Sequence, residues 1–258
     1  NTSFNFMYGN FQENRFLIDL IRSEKAKSIV DVGCATGTTF RLIRNKCKKN
    51  SYTYNGFDIS APAIEYAKSK YKKDIFYISN QESFENLPDS DRDVIFSRDT
   101  VMHQTEPFDF LRNLIKHTRK YLILRLRTRD EGKTVWDIKK SAQMHYDDFW
   151  MPYIVINTDE LLNFIITERK PKSIKINKSY QILGGNNFRF LPKDLYFSSA
   201  KGSETSVCID FSETSEKVST NIEYSYNLEG QKFLKEKRTQ VVFLKMMDKF
   251  IFSGVKKV

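Results

Sequence analysis

Short apolar runs alternate with helical periodicity along the first half of this sequence. Five apolar runs predict strands, and they lie at 29–32, 52–58, 74–79, 93–97 and 121–126. Between them apolar residues recur at helical spacing, for example at Phe40, Leu42 and Ile43, which predicts amphipathic helices. Strands that alternate with helices are typical of a parallel sheet covered on both faces. We therefore predict an α/β fold with a doubly wound, mostly parallel sheet.

A glycine turn follows the first predicted strand. The strand ends at Asp31 and Val32, and Gly33 and Gly37 then lead into a helix that begins near Thr38. A strand, a tight glycine turn and a helix form the first half of a nucleotide-binding unit, so we expect the core to be Rossmann-like. Glycine is expected because a bulky ligand has to approach the backbone closely, and a Cβ atom would clash with it. The spacing departs from the G-x-G-x-x-G pattern of dinucleotide sites.

The pattern Asp31-x-Gly33-x-x-x-Gly37 resembles motif I of the class I S-adenosylmethionine-dependent methyltransferases. The resemblance implies that S-adenosylmethionine is the cofactor, that Asp31, Gly33 and Gly37 help to hold it, and that the loop wraps its methionine part. Cys34 lies in this loop, where we expect a small packing residue rather than a nucleophile. The alternative is a generic doubly wound domain with an incidental glycine turn.

The second predicted strand ends in a carboxylate, Asp58, 27 residues after the acidic residue of the first motif. A carboxylate at this point can accept hydrogen bonds from both hydroxyls of a ribose. Asp58 and Ile59 are followed by Ser60, which caps the next predicted helix. This run resembles the second motif of the family, which implies that Asp58 and Ile59 bind the cofactor.

Polar residues also follow the third and fourth predicted strands. Ligands of open α/β sheets sit beyond the carboxyl ends of the strands. Asn80 and Gln81 are therefore placed to meet the adenine edge, because amides both donate and accept; a plain turn is the alternative. Ser97, the last residue of the fourth strand, is predicted to contact the cofactor as well.

The loop after Ser97 lies where the transferred methyl group is expected. It lacks the Asn/Asp-Pro-Pro-Tyr/Phe signature of many methylases that act on base or amide nitrogens. Asp99 and His103 are four residues apart, so they would share a face of a helical segment. The Ser-Arg-Asp-x-x-x-His pattern resembles phosphoethanolamine N-methyltransferases, whose Asp and His serve the substrate amine.

We predict that His103 is the catalytic base, because an imidazole can take up a proton near neutral pH. Asp99 is predicted to orient His103 or to hold the substrate. The alternative is that His103 only caps local structure or packs beside the cofactor.

Aromatic and polar residues are interleaved in two further places. The stretch 1–12 holds four aromatic residues and is either a lid over the cofactor or a hydrophobic plug. The stretch 127–156 leaves the ligand edge of the sheet and is predicted to bind the substrate, with packing for stability alone as the alternative. Aromatic rings stack on sugars or surround a cation, and arginines hold phosphates. The predicted substrate residues are Tyr8, Arg127, Arg129, His145, Tyr146 and Trp150.

The second half of the chain is rich in strands. After a helix at 157–166 with Thr158 as its N-cap, strands are predicted at 173–177, 180–183, 187–191, 195–197, 206–211 and 240–246. In the family two of these strands complete the sheet as an antiparallel hairpin, so the surplus implies a small antiparallel subdomain. The predicted units are an N-terminal lid and helix (1–26), a Rossmann-like cofactor-binding core (27–130), and a substrate-binding insertion with a strand-rich C-terminal part that completes the sheet (131–258).

Composition limits the partners and the compartment. The 258 residues carry a net charge of +10, which suits nucleic acid, an anionic surface or a phosphorylated substrate, but also scattered surface lysines. No arm-like basic block occurs, so we regard nucleic acid as an unlikely partner. Three cysteines without framework spacing indicate free thiols and a cytoplasmic protein. No apolar run is long enough to span a membrane, and the three histidines lack the spacing of a metal site.

Together these patterns predict an S-adenosylmethionine-dependent methyltransferase that acts on a hydroxyl or amine of a small molecule. The preferred substrate is a sugar or sugar nucleotide of polysaccharide or secondary-metabolite biosynthesis. The alternatives are a phosphobase N-methyltransferase, an RNA or protein methyltransferase, and a non-catalytic cofactor-binding subunit. The sequence leaves the oligomeric state open.

Overall fold

The computed structural model describes residues 11–144, 149–184, 188–215 and 217–226. For residues 224–226 it describes the backbone only. The strands within these ranges are β1 (Ser28–Val32), β2 (Thr53–Asp58), β3 (Phe76–Ile78), β4 (Val94–Arg98), β5 (Tyr121–Arg129), β6 (Ala142–Met144), β7 (Trp150–Pro152), β8 (Ile156–Asn157), β9 (Ser173–Tyr180), β10 (Arg189–Phe190), β11 (Gly202–Asp210) and β12 (Ser219–Tyr226). The helices are α1 (Gln12–Arg22), α2 (Thr38–Lys46), α3 (Ala61–Tyr71), α4 (Pro107–His117) and α5 (Thr158–Glu168).

The first five strands form the parallel half of one mixed sheet. Their order is β3-β2-β1-β4-β5, and every neighbouring pair is parallel. Their carboxyl ends therefore meet at one edge of the sheet, as the predicted α/β fold requires. The five predicted strands and the doubly wound arrangement are confirmed.

Helices cover both faces of the sheet, because alternate strand residues point to opposite sides. Ile29 packs into the cluster beneath α1, α2 and α3, whereas its neighbour Val30 packs into the cluster beneath α4 and α5. Burial of each such side chain stabilises the fold by about 1.5–3 kcal/mol. Among the described residues no helix is long and apolar enough to cross a membrane.

The sheet is completed by antiparallel strands. β11 lies antiparallel between β5 and β9, as expected for the closing hairpin. β12 extends the sheet beyond β9 in parallel orientation, and the short β8 pairs with the end of β5. Neither β8 nor β12 was predicted, and the predicted strand at 240–246 lies outside the described residues.

A second, three-stranded antiparallel sheet in the order β10-β6-β7 stands beside the carboxyl edge of the main sheet. Its core contains Tyr153, Leu183 and Leu191, and it also contains Met102 from the loop after β4. The backbone N–H of Ile154 donates to the carbonyl oxygen of Met102 at 2.8 Å. The small sheet is thus attached directly to the loop that carries the predicted base.

Three local predictions in the second half are wrong. Residues 180–183 form no separate strand, because Tyr180 is the last residue of β9. The predicted strand at 195–197 is replaced by a 3-10 turn, Lys193–Tyr196, which follows Pro192 and buries Leu195. The N-cap of α5 is Asn157 and not Thr158, because its Oδ1 accepts the N–H groups of Asp159 and Glu160 at 2.9 and 3.0 Å.

Candidate active site

The candidate site lies at the carboxyl edge of β1, β2, β4 and β5, where three loops meet. The loops follow β1 at 33–37, β2 at 59–60 and β4 at 99–103. Several backbone positions in these loops adopt positive φ angles: Gly33 at +85°, Ala35 at +45°, Gly37 at +75° and Asp99 at +56°. These angles turn the chain sharply as it leaves the strands.

The protein's own side chains fill the space beside both glycines. A Cβ on Gly33 would lie 2.1 Å from Oγ1 of Thr100, and a Cβ on Gly37 would lie 2.7 Å from the ring of Tyr71. The expected close approach of a ligand to these glycines stays a prediction, since a ligand is not needed to explain glycine here. Packing of the loop against its neighbours already requires it.

Asp31 lies beneath the glycine loop and is 1% exposed. The hydroxyl of Tyr54 donates to its Oδ2 at 2.6 Å. Burial raises the pKa of Asp31 to about 6, while the hydrogen bonds from Tyr54 and Thr39 oppose the rise. The carboxyl group supports the loop from inside the protein rather than lining its surface.

Cys34 and Ser97 are buried as well, at 4% and 0% exposure. The Cys34 side chain packs over Gly56, where an added Cβ would lie 2.9 Å from its Sγ, and burial raises the pKa of its thiol. Cys34 is therefore a packing residue with an unreactive thiol. The structure corrects the prediction of cofactor contact for the side chains of Cys34 and Ser97, because both are enclosed by protein.

Asp58 is fixed between the loops that follow β1 and β2. Its Oδ2 accepts the N–H of Ala35 at 2.8 Å, and its Oδ1 accepts the N–H of Ser60 at 2.9 Å. Each carboxylate oxygen has a second lone pair, so the group retains acceptor capacity for two hydroxyls. Ser60 caps α3 as predicted, since its Oγ accepts the N–H of Ala63. Ile59 next to it is 80% exposed.

Asn80 and Gln81 lie in the turn after β3, and both side chains are exposed. The backbone N–H of Gln81 donates to the carbonyl oxygen of Ile78 at 2.9 Å, so the turn also satisfies local hydrogen bonds. The two amides and Asp58 therefore follow adjacent strands at one edge of the sheet. Their contact with adenine stays a prediction.

Four charged side chains form a closed ring of ion pairs: Asp99 in the loop after β4, Arg125 and Arg127 of β5, and Glu204 of β11. Asp99 and Glu204 each form ion pairs with both Arg125 and Arg127, over N–O distances of 2.7 to 3.0 Å. The two carboxylates are about one-third exposed, at 33% and 32%, whereas the two arginines are nearly buried. We call these four residues the ion-pair ring.

His103 ends a 3-10 turn, Val101–His103, and is oriented by the small sheet. Its Nδ1 donates to the carbonyl oxygen of Pro152 at 2.8 Å, so in the neutral ring the lone pair is on Nε2. Burial lowers the pKa of His103, although the carbonyl of Pro152 and the charge of Asp99 act in the opposite direction. The prediction that Asp99 orients the ring is corrected: Pro152 does so, and both oxygens of Asp99 are held by the ion-pair ring.

The predicted substrate residues divide into three groups. Arg127 belongs to the ion-pair ring, and Trp150 is 41% exposed with its ring 5.0 Å from that of Phe190. Arg129 is only 2% exposed, and Asp194 and the carbonyl oxygen of Glu131 hold its guanidinium group, so its prediction as a substrate ligand is wrong. The remaining residues lie outside the described ranges and are Tyr8, His145 and Tyr146.

Sequence reasoning missed several charged residues of this edge. Glu13 of α1 is 1% exposed, pairs with Arg98 at 3.2 Å and accepts a hydrogen bond from Ser206 at 2.7 Å. The ring of Phe11 lies 4.8 Å from the guanidinium carbons of Arg98 and Arg125. The described part of the N-terminal segment thus packs on the sheet. The alternation of three arginines along β5 was a visible signal, but nothing in the sequence identified their partners.

A Rossmann-like sheet with a glycine loop after β1, a carboxylate at the end of β2 and an antiparallel strand beside β5 agrees with the class I methyltransferase architecture. A family described as "Methyltransferase domain" matches residues 23–180, which is more than half of the chain. The chain belongs to this methyltransferase family. It is an S-adenosylmethionine-dependent methyltransferase, and S-adenosylmethionine is its cofactor.

Solved structures of other proteins are similar to this chain. The N-terminal domain of EvdMO1, solved with S-adenosylhomocysteine and D-fucose, has a TM-score of 0.51 and 11% identity, over 78% of this chain and 84% of that chain. A methyltransferase from Clostridium acetobutylicum ATCC 824 has a TM-score of 0.47 and 12% identity, over 80% and 95%. Magnesium protoporphyrin IX methyltransferase from Synechocystis PCC 6803 has a TM-score of 0.43 and 12% identity, over 80% and 81%. The EvdMO1 match shows a common fold and carries no information about the substrate.

Proposed function

We propose that this protein methylates a hydroxyl or amine of a small molecule, with His103 as the general base. The observation that carries the proposal is the hydrogen bond from Nδ1 of His103 to the carbonyl oxygen of Pro152. It fixes the ring orientation and leaves the lone pair on Nε2, the nitrogen that takes up the proton. The lowered pKa keeps the imidazole neutral at physiological pH, as a base requires.

S-adenosylmethionine, when bound, supplies a methyl group that its sulfonium already activates for in-line displacement. The protein's contribution is to align the acceptor and to remove its proton. His103 Nε2 receives the proton, and the charge of Asp99, which favours the protonated ring, stabilises the imidazolium that forms.

Asp58, Ile59 and the glycine loop hold the cofactor in this proposal. The Asp58 carboxylate is fixed by two backbone N–H groups and retains acceptor capacity, which suits the two hydroxyls of a ribose. Ile59 offers an exposed apolar surface for adenine, and Asn80 and Gln81 are exposed beside it. Asp31 supports the glycine loop from inside the protein.

We infer that the preferred acceptor is a sugar or sugar nucleotide, as in polysaccharide or secondary-metabolite biosynthesis. Trp150 and Phe149 expose 41% and 51% of their surface at the small sheet, and aromatic faces stack on sugar rings. Asp99 and Glu204 are partly exposed acceptors for hydroxyl groups. The second candidate is a phosphobase N-methyltransferase, which the Asp99/His103 spacing favours. The two arginines that neutralise Asp99 argue against its binding an ammonium group.

Calorimetry with S-adenosylmethionine and S-adenosylhomocysteine tests the cofactor site. We expect micromolar binding to the wild type, lost in Asp58→Ala and retained in Asp74→Ala, whose aspartate is exposed and pairs with Lys68 instead. Loss of binding in both variants, or in neither, would contradict the assignment of Asp58.

Methyl transfer to a panel of sugar nucleotides and phosphobases tests the base. We expect His103→Ala to lower kcat by about 10²–10⁴-fold with cofactor affinity unchanged. His117→Ala is the matched control, because His117 lies on α4 and bonds the carbonyl oxygen of Asn113. Equal activity of the two variants would exclude His103 as the base.

A further inference from the structure

Arg189 of β10 differs from the other arginines near the candidate site. Four arginines at the carboxyl edge of the main sheet each have a carboxylate partner, and they are Arg98, Arg125, Arg127 and Arg129. Arg189 has no carboxylate partner among the residues that the structure describes.

Two contacts fix the guanidinium group of Arg189. Its Nε donates to Oε1 of Gln143 at 3.0 Å, and its central carbon lies 4.1 Å from the centre of the Tyr153 ring. Arg189 and Gln143 face each other across the β10–β6 pair, and Tyr153 is 2% exposed, so both supports are themselves held in place. These contacts use one of the five N–H donors and one face of the group. The four donors on the two Nη atoms have no protein acceptor within the described ranges.

Arg189 and His103 share the same aromatic neighbour. The ring centres of His103 and Tyr153 are 5.8 Å apart. The positive charges of Arg127 and Arg189 both contribute to the lowered pKa of His103. The charge of Arg189 therefore acts on a ligand that lies at His103. The Nη donors of this guanidinium group have no acceptor among the residues that the structure describes.

We propose that Arg189 binds an oxyanion group of the methyl acceptor, a phosphate or a carboxylate, while the group to be methylated lies at His103. The inference rests on the proposed function of this site and adds the substrate class: an anionic small molecule. A stacked guanidinium group with two Nη atoms available binds two oxygens of such a group in parallel, which a lysine does not do.

The test uses the full chain and the imidazole NMR signals of its three histidines. The signal of His103 is assigned by its absence in His103→Ala, and its pKa is measured without anion, with inorganic phosphate and with acetate. An anion bound at Arg189 neutralises the positive charge there, so at least one of the two probes is expected to raise the pKa of His103 in the wild type. A response to phosphate alone assigns a phosphate group, and a response to acetate assigns a carboxylate.

Arg189→Gln should raise the pKa of His103 before any anion is added and should remove its response to the anion. It should also weaken phosphate binding at least about tenfold, as expected for hydrogen bonds to a charged group. The control is Arg112→Gln, whose arginine pairs with Glu168 elsewhere on the surface and which should behave like the wild type. No response in the wild type, or an equal response in Arg189→Gln, overturns the proposal. Cofactor binding and the His103→Ala assay are measured separately, so failure of the proposed function is distinguishable.

Discussion

Replacing Glu204 with glutamine should open the ion-pair ring. In the wild type Asp99 and Glu204 each bridge Arg125 and Arg127. Glutamine keeps the shape and one acceptor oxygen but removes a negative charge, so two guanidinium groups then share one carboxylate. Because the two arginines are only 8% and 12% exposed, solvent compensates them poorly.

The cost follows from the burial of the ring. Removing one partner of a fully buried ion pair costs about 3–5 kcal/mol, whereas an exposed pair contributes about 0–1 kcal/mol. Glu204 is 32% exposed and its partners are nearly buried, which places it between these limits. We expect Glu204→Gln to lower the free energy of unfolding by about 1–3 kcal/mol, with a fall of Tm of roughly 2–4 °C per kcal/mol.

The loss should depend on pH. Burial alone would raise the pKa of Glu204, but the charges of Arg127 and Arg125 outweigh it and hold the pKa below the ordinary glutamate value. A carboxylate with a depressed pKa in the folded state stabilises the protein above its unfolded-state pKa. This contribution is lost as the pH falls through the folded-state pKa. The difference in free energy of unfolding between the wild type and Glu204→Gln should therefore be largest near pH 7 and small in acid.

Urea unfolding at a series of pH values measures this difference. The control is Glu213→Gln, because Glu213 pairs with Lys172 at 2.9 Å and both side chains are largely exposed. The control should leave the free energy of unfolding close to the wild-type value, because solvent screens this exposed pair. If the two variants lose the same stability, or if the loss in Glu204→Gln does not vary with pH, the ring does not contribute as argued.

Three further outcomes follow from the site. Burial raises the pKa of Asp31 to about 6, so ionisation of this carboxyl destabilises the native state as the pH rises from about 4 to 6. In thermal unfolding, Asp31→Asn should therefore have a higher Tm than the wild type at pH 8 and the same Tm at pH 4. Gly33→Ala should lower the free energy of unfolding by about 1–3 kcal/mol. Adding Thr100→Ala removes the side chain that the new Cβ meets and should recover only part of this loss, because the positive φ of residue 33 remains. The pH profile of kcat/KM, which reports the free enzyme, should fall on its acid side with an apparent pKa below the ordinary histidine value, because burial lowers the pKa of His103. An acid limb above the ordinary histidine value would contradict the assignment.

The parallel half of the fold was predictable because its signals are local. The three central strands β1, β4 and β5 are mainly apolar runs that are buried on both faces. A helix with a recognisable cap or glycine turn follows β1 and β2. Ser60 illustrates this, since a serine ahead of a proline-containing first turn predicted the cap that the structure contains. Asp58 likewise lies at the strand end where the spacing put it.

The charged side of the site was not predictable, because its partners are far apart in the sequence. The pair formed by Arg125 and Glu204 spans 79 positions, and the hydrogen bond between Glu13 and Ser206 spans 193. Arg129 shows the resulting error. It lies on the same face of β5 as Arg125 and Arg127, so the sequence alone does not distinguish its role from theirs. Only the tertiary fold places Asp194 beside it and buries it.

The proposed base, His103, and the small sheet are coupled through the backbone, which is also a feature that the sequence does not show. The acceptor that orients His103 is a backbone carbonyl, that of Pro152, 49 positions away, and a backbone group leaves no sequence signature. The next residue, Tyr153, is the platform on which Arg189 stacks. A displacement of β7 would therefore change the orientation of the base and the position of the proposed anion site together. Substitutions that alter substrate choice through the small sheet should for this reason also alter the acid limb of the pH–rate profile.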